Sequence, residues 1–160
     1  MPKISEVNAI QVFDSRGVPT ISCKITLDNG ISASSMVPSG ASTGSKEALE
    51  LRDNEENYHG KGVLKAVSNI NNKLASLVLG KDPINQFEID QILIDFDGTD
   101  DKSKIGANSI LAISLAISQV AAKDQNIYLH EHFSNLYKNI TGDSIKPSIP
   151  MPMFNILNGG

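Results

Sequence analysis

The spacing of apolar residues changes once along the chain, near residue 45, and this change constrains the fold more than any other feature. Before it, Ile21, Cys23, Ile25 and Leu27 alternate with Ser22, Lys24 and Thr26. A period of two places one set of side chains on a core face and the other in solvent, so this run reads as a half-buried strand. Asp28-Asn29-Gly30 follows, and then Ile31, Ala33, Ser35 and Val37 alternate in their turn. A glycine-ended turn between two alternating runs predicts a hairpin. Ile4–Phe13 supplies a third strand, joined through Asp14-Ser15-Arg16-Gly17-Val18-Pro19. Three strands with short connections make an antiparallel meander.

After residue 45 the period becomes helical. Glu47–Arg52 reads as a short helix. Val63, Val67, Ile70, Leu74, Leu77 and Val78 form one stripe that ends at Gly80. Asp82-Pro83 opens the next helix, with Phe87, Leu93 and Phe96 as its expected buried side. Ala107–Lys123 is apolar almost all round, as the central helix of a bundle is, and Tyr128–Lys138 is a shorter last helix. Strands first and helices after give an α+β fold, a three-stranded antiparallel meander followed by a helical bundle on one side of the sheet. Gly142–Pro152 holds Pro147, Pro150 and Pro152 and reads as an extended linker. Met153–Leu157 then reads as the start of a buried strand, a poor place for a chain to stop. The expected division is therefore 1–141 as one domain and 142–160 as linker and first strand of a further domain.

Composition removes several functional classes. With 14 basic and 18 acidic residues the net charge is −4, and no basic cluster is present to neutralise phosphates, so nucleic acid is not an expected partner. The start lacks the apolar stretch of a secretory signal. Ile110–Ala122 is too short and too interrupted by serines to span a bilayer. The single cysteine, Cys23, excludes an intrachain disulfide and suits a reducing compartment. A cytoplasmic protein without a membrane span is expected.

Four groups of residues are candidates for chemistry. Ser39-Gly40-Ala41-Ser42-Thr43-Gly44-Ser45-Lys46 combines two glycines with small hydroxyls, so its backbone can approach a ligand closely. It lacks the second glycine of a P-loop, and on composition alone a plain surface loop is the better reading. Asp95-Phe96-Asp97-Gly98-Thr99-Asp100-Asp101 has the acids of a calcium loop, but its glycine stands at loop position 4, where an EF-hand needs it at 6. A solvated helix-ending turn is expected there instead. Asp14-Ser15-Arg16-Gly17 reads as a loop-fixing turn. His59, His130 and His132 lack metal-ligand spacing, and Cys23 has no activating neighbour in the sequence, so all four read as structural.

Taken together, the segments resemble enolase along essentially the whole chain. The resemblance is carried by Asp14–Gly17, Val37–Gly44, Glu47–Asp53, Gly60–Val63, Asp97–Thr99, Lys102–Ser103, Gly106–Asn108 and Asn155–Gly160, in the family's order and near its spacing. It reverses the composition-only reading of residues 39–46. It implies an enzyme that interconverts 2-phosphoglycerate and phosphoenolpyruvate by removing water, with two magnesium ions holding the charge that develops on the substrate carboxylate. It also implies that this chain is the lid-bearing N-terminal portion, stopping before a barrel that carries the base, the acid and the main metal ligands. No catalytic residue is then expected in the chain, and by itself it should be inactive. Ser42 would coordinate the second magnesium. Ser39, Gly40, Ala41, Thr43, Gly44 and Lys46 would complete the lid, and Gly159 and Gly160 would lead towards the substrate. Lys46 stands where many members carry histidine, and Ser22 stands where an acidic residue helps pair subunits. The resemblance further implies a homodimer or higher homo-oligomer at full length. Two rival readings are another member of the enolase superfamily and a non-catalytic binding or assembly module, such as an enolase displayed at the cell surface.

Overall fold

The hairpin turn is closed by the backbone, with Gly30 N–H donating to Leu27 O at 2.9 Å and Leu27 N–H to Ile31 O at 2.8 Å, while the Asn29 side chain accepts from Ile31 N–H. It joins β2 (Pro19–Leu27) to β3 (Ser32–Met36), and β2 pairs on its other edge with β1 (Ile4–Phe13). Both pairings are antiparallel and the sheet order is β1-β2-β3, as the alternation predicts. The structure, a computed structural model, describes residues 1–40, 44 and 46–157.

The core lies between the sheet and the helices. Ile21, Cys23, Ile25 and Leu27 are all buried, so the whole inner face of β2 is apolar. Burial pushes the Cys23 thiol up to about 12, which suits a small core residue and not a nucleophile. α4 (Ala107–Asp124) lies across β2 and β3, and Ala112, Ala116 and Ala121 are among its fully buried residues. On the β1 side runs a helical rod of α1 (Leu64–Asn69), a single π-helical turn (Ile70–Leu74) and α2 (Ala75–Val78). The Asn71 side chain leaves this rod to pair with both backbone groups of Ala9, at 2.8 and 3.0 Å. That contact covers part of the β1 edge, which would otherwise offer unpaired backbone to another chain. α3 (Gln86–Asp97) and α5 (Leu129–Thr141) each pack on α4. No described helix is long and apolar enough to cross a membrane.

Four expectations are corrected. Glu47–Arg52 is not helical, because its backbone groups are taken by partners far along the chain. The second helix begins at Gln86: Asp82 caps a turn instead, its carboxylate accepting from Ile84 N–H at 3.1 Å. Phe87 is 69% exposed, and its expected place goes to Ile89, which shares a stripe with Leu93 at i and i+4. Met153–Leu157 is neither strand nor buried; among the described residues no strand lies beside it, and a strand needs a ladder partner. Residues 142–157 as a whole are irregular and exposed, and Ser134 Oγ donates to Ile145 O at 2.9 Å.

Candidate functional site

The site expected from sequence is the loop after β3, and its root is Ser39. Two arginines meet there. Arg16 donates from its terminal NH2 to the Ser39 carbonyl at 3.0 Å. Its own position is set by Asp14, whose carboxylate accepts from Arg16 Nε and NH2 at 3.0 and 2.8 Å and from the backbone N–H of Arg16 and Val18. The Val18 N–H and then the Arg16 guanidinium hold the Asp14 carboxyl below the usual carboxylate range. The turn at 14–17 is therefore loop-fixing, as expected, and it fixes a second loop as well as its own.

Arg52 approaches Ser39 from the other side. Its NH2 donates to Ser39 Oγ at 3.0 Å and to Glu50 Oε1 at 2.7 Å, while Ser39 Oγ donates to Glu50 Oε2 at 3.3 Å. Its NH1 donates to Pro19 O and Lys61 O, both at 2.7 Å. One guanidinium thus ties the loop root to the start of β2 and to the chain before α1, in the fork geometry that makes Arg the residue for such a junction.

Arg52 is itself placed by a strand-like segment that has no strand beside it among the described residues. Leu49 N–H donates to Asp101 O at 2.7 Å, and Leu49 O accepts from Ala107 N–H at 2.8 Å. The Asn108 side-chain amide pairs with both Leu51 backbone groups at 3.0 Å, and Asp53 N–H donates to Gly62 O at 2.8 Å. Residues 49, 51 and 53 therefore face the scaffold, and 50 and 52 turn to the loop root, the alternation of an extended chain. Two glycines permit these contacts. A Cβ on Gly106, whose φ is +95°, would strike Leu51 and Asn108, and one on Gly62 would strike the Asp53 carboxylate. Asp53, buried, accepts from Leu64 and Lys65 N–H at 2.9 and 2.8 Å and so satisfies orphan donors at the start of α1.

The 95–101 turn is built more tightly than a solvated helix end. Gly98 caps α3 in the left-handed region, its N–H bonding Ile94 O at 3.0 Å. Asp97 is buried, accepting from Thr99 N–H, the Thr99 hydroxyl and Ile105 N–H. Burial pushes its carboxyl up, but these donors and Lys102 outweigh that and hold it below the ordinary value. It therefore links the end of α3 to the approach to α4, the segment that follows Asp101 and leads into Ala107 and Asn108 at the start of α4.

Of the expected loop residues, Ser39 and Gly40 are at the root, and Gly44 and the exposed Lys46 lie at the far end, where Glu47 N–H donates to Gly44 O at 3.2 Å. Ala41, Ser42, Thr43, Gly159 and Gly160 lie outside the described residues. Sequence reading named Glu50, Arg52, Asp53 and Asn108 only as part of matching blocks and gave them no role. Nothing in local spacing links Ser39 to Arg52, or Leu51 to Asn108 fifty-seven residues away. His132 is buried with Gln125 Nε2 at 3.3 Å from Nδ1, and burial lowers its pKa; His130 is exposed and stacks on Tyr128. Among the described residues no three His, Cys, Asp or Glu side chains converge as a metal centre. The described donor set therefore does not fit a magnesium centre by itself.

A three-stranded meander under a helical layer, with a glycine-rich loop rooted between two arginines, defines a loop-bearing α+β domain. The family model described as the N-terminal domain of enolase matches residues 4–133, and the chain belongs to that family. A curated relative, an enolase from Mycoplasmoides gallisepticum, is 49% identical over 158 residues, covering 99% of this chain. The chain spans 33% of that relative's length.

Proposed function

We propose that this chain is the loop-bearing N-terminal part of a cytoplasmic, homo-oligomeric enolase that interconverts 2-phosphoglycerate and phosphoenolpyruvate plus water. In this reading 1–141 is one domain, and 142–160 is a linker leading into a barrel. The observation that carries it is convergence: four of the blocks by which the sequence resembles the family meet around the root of one loop through Arg16, Ser39, Arg52 and Lys61, and a fifth pins Leu51 beside it through Asn108. A junction this heavily hydrogen-bonded fixes where the loop starts, and placement of a loop over a substrate contributes orientation and exclusion of water. The chain's part is positioning, with Ser42 contributing its hydroxyl to the second magnesium of the whole enzyme. The exposed apolar residues Ile149, Met151, Met153, Phe154, Ile156 and Leu157 support a packed continuation after Pro147.

Ser42→Ala in the full-length polypeptide tests the assignment. Turnover of 2-phosphoglycerate should fall and the magnesium requirement should rise, with thermal stability unchanged. Unchanged rate and unchanged magnesium dependence would remove Ser42 from the site.

A further inference from the structure

A cleft of about 830 Å³ lies between α3 and α5, floored by α4, in a part of the molecule that none of the loop-root contacts reaches. Phe133, Leu136 and Ile140 of α5 recur at steps of three and four and so share one face, opposite Phe87 of α3. Phe87 is 69% exposed and Ile140 68%. Helices that pack in a domain normally bury such residues, and an apolar α5 stripe facing Phe87 over a third helix has the form of a groove that receives another helix.

The polar lining is one-sided. Asp90 and Glu88 line the cleft, and among the described residues no lysine or arginine does. Glu88 is already paired with Lys81 at 2.9 Å. Asp90 makes no ion pair among the described residues; it accepts from Gln86 Nε2 at 2.9 Å, and the buried Gln86 is held in turn by Ser114 and by Ser118 Oγ at 2.8 Å. Burial raises the Asp90 carboxyl above its ordinary range, the condition that a neighbouring cation would relieve.

Two occupants from within the protein fit poorly. A second copy docked through this same cleft would bring a second Asp90 and Glu88 into one interface, and like charges in one interface are repulsive. The segment after α5 carries Pro147, Pro150 and Pro152, which cannot form the required helix, and a single base, Lys146.

We infer that the α3–α4–α5 cleft seats an amphipathic helix from a separate, basic partner protein, its apolar face on Phe87, Phe133, Leu136 and Ile140 and a lysine or arginine at Asp90. This surface is independent of the enolase reading. The probe is a pair of synthetic helical peptides of about four turns, with leucines at identical i, i+3, i+4 and i+7 positions and either lysines or glutamates elsewhere. Each is titrated calorimetrically into the full-length polypeptide carrying residues 1–160. The lysine peptide should bind with a Kd on the order of micromolar and the glutamate peptide should not, and Phe87→Ser and Asp90→Asn should each weaken binding about tenfold. Ile10→Ser, on the outer face of the sheet, should leave it unchanged. Phe87 is too exposed for its replacement to unfold the domain, and unchanged melting of each variant confirms that a loss is local. Equal binding of both peptides, binding indifferent to Phe87 and Asp90, or no binding at all would overturn the proposal. So would self-association of the protein that Phe87→Ser abolishes, which would make a second copy the occupant.

Discussion

β2 and the 49–53 segment both run extended, yet they are held by different means. β2 bonds to strands on both edges and buries Ile21, Cys23, Ile25 and Leu27 on one face. Among the described residues no strand neighbours 49–53; a turn carbonyl, a helix N-terminus, one asparagine side chain and a glycine carbonyl serve them in sequence. The first kind of support is repetitive, and losing one contact leaves its neighbours in place. The second is a set of single contacts, each placing one residue of the loop root. The core therefore carries the fold, and the polar scaffold carries the position of the loop root.

The comparison can be broken from either side. Ile117→Ala, at a fully buried position of α4, should cost about 3–4 kcal/mol in chemical denaturation. The folded fraction that remains should keep the loop root intact. Asn108→Ala should cost about 2–3 kcal/mol, since it strands both backbone groups of Leu51. Unlike the core change, it should also speed hydrogen exchange at Leu51 and Asp53. Equal exchange behaviour in the two variants would erase the distinction between regions.

Asp97→Asn gives a smaller, pH-dependent effect of about 1–2 kcal/mol at neutral pH. The folded Asp97 carboxyl lies below its unfolded value of 3.8. Its contribution is therefore present above that value and is lost as pH falls through the folded one. The gap between wild type and variant should narrow below pH 3.8. A gap that stays constant to lower pH would mean that the charge on Asp97 does not matter to the turn.

The sequence made the core far more legible than the scaffold. The strands, the hairpin turn and α4 follow from alternation or helical period, which are local properties that survive into the fold. Glu47–Arg52 misled because Glu, Ala, Leu and Arg are strong helix formers, and local propensity carries no trace of Asn108 or Asp101. Phe87 misled because it stands two residues before Ile89, and at about 3.6 residues per turn that separation puts it on the far side of the helix from the Ile89–Leu93 stripe. At the loop root, the Asp14–Arg16 pair is two residues apart and was legible. The Ser39–Arg52 and Arg16–Ser39 contacts span 13 and 23 residues and were not. Asp53 and Asp97 carry no pattern that distinguishes a buried acceptor of backbone N–H groups from a solvated surface acid.

The claim that the polar scaffold positions the site is tested most directly at Arg52, which joins Ser39, Glu50, Pro19 and Lys61. Arg52→Ala is made in the full-length polypeptide, and steady-state formation of phosphoenolpyruvate is measured beside thermal melting. The account predicts a fall of at least about tenfold in kcat/KM, partial recovery in Arg52→Lys, and melting lowered by only a few degrees, as about 1 kcal/mol would give. Unchanged kcat/KM in Arg52→Ala would contradict it.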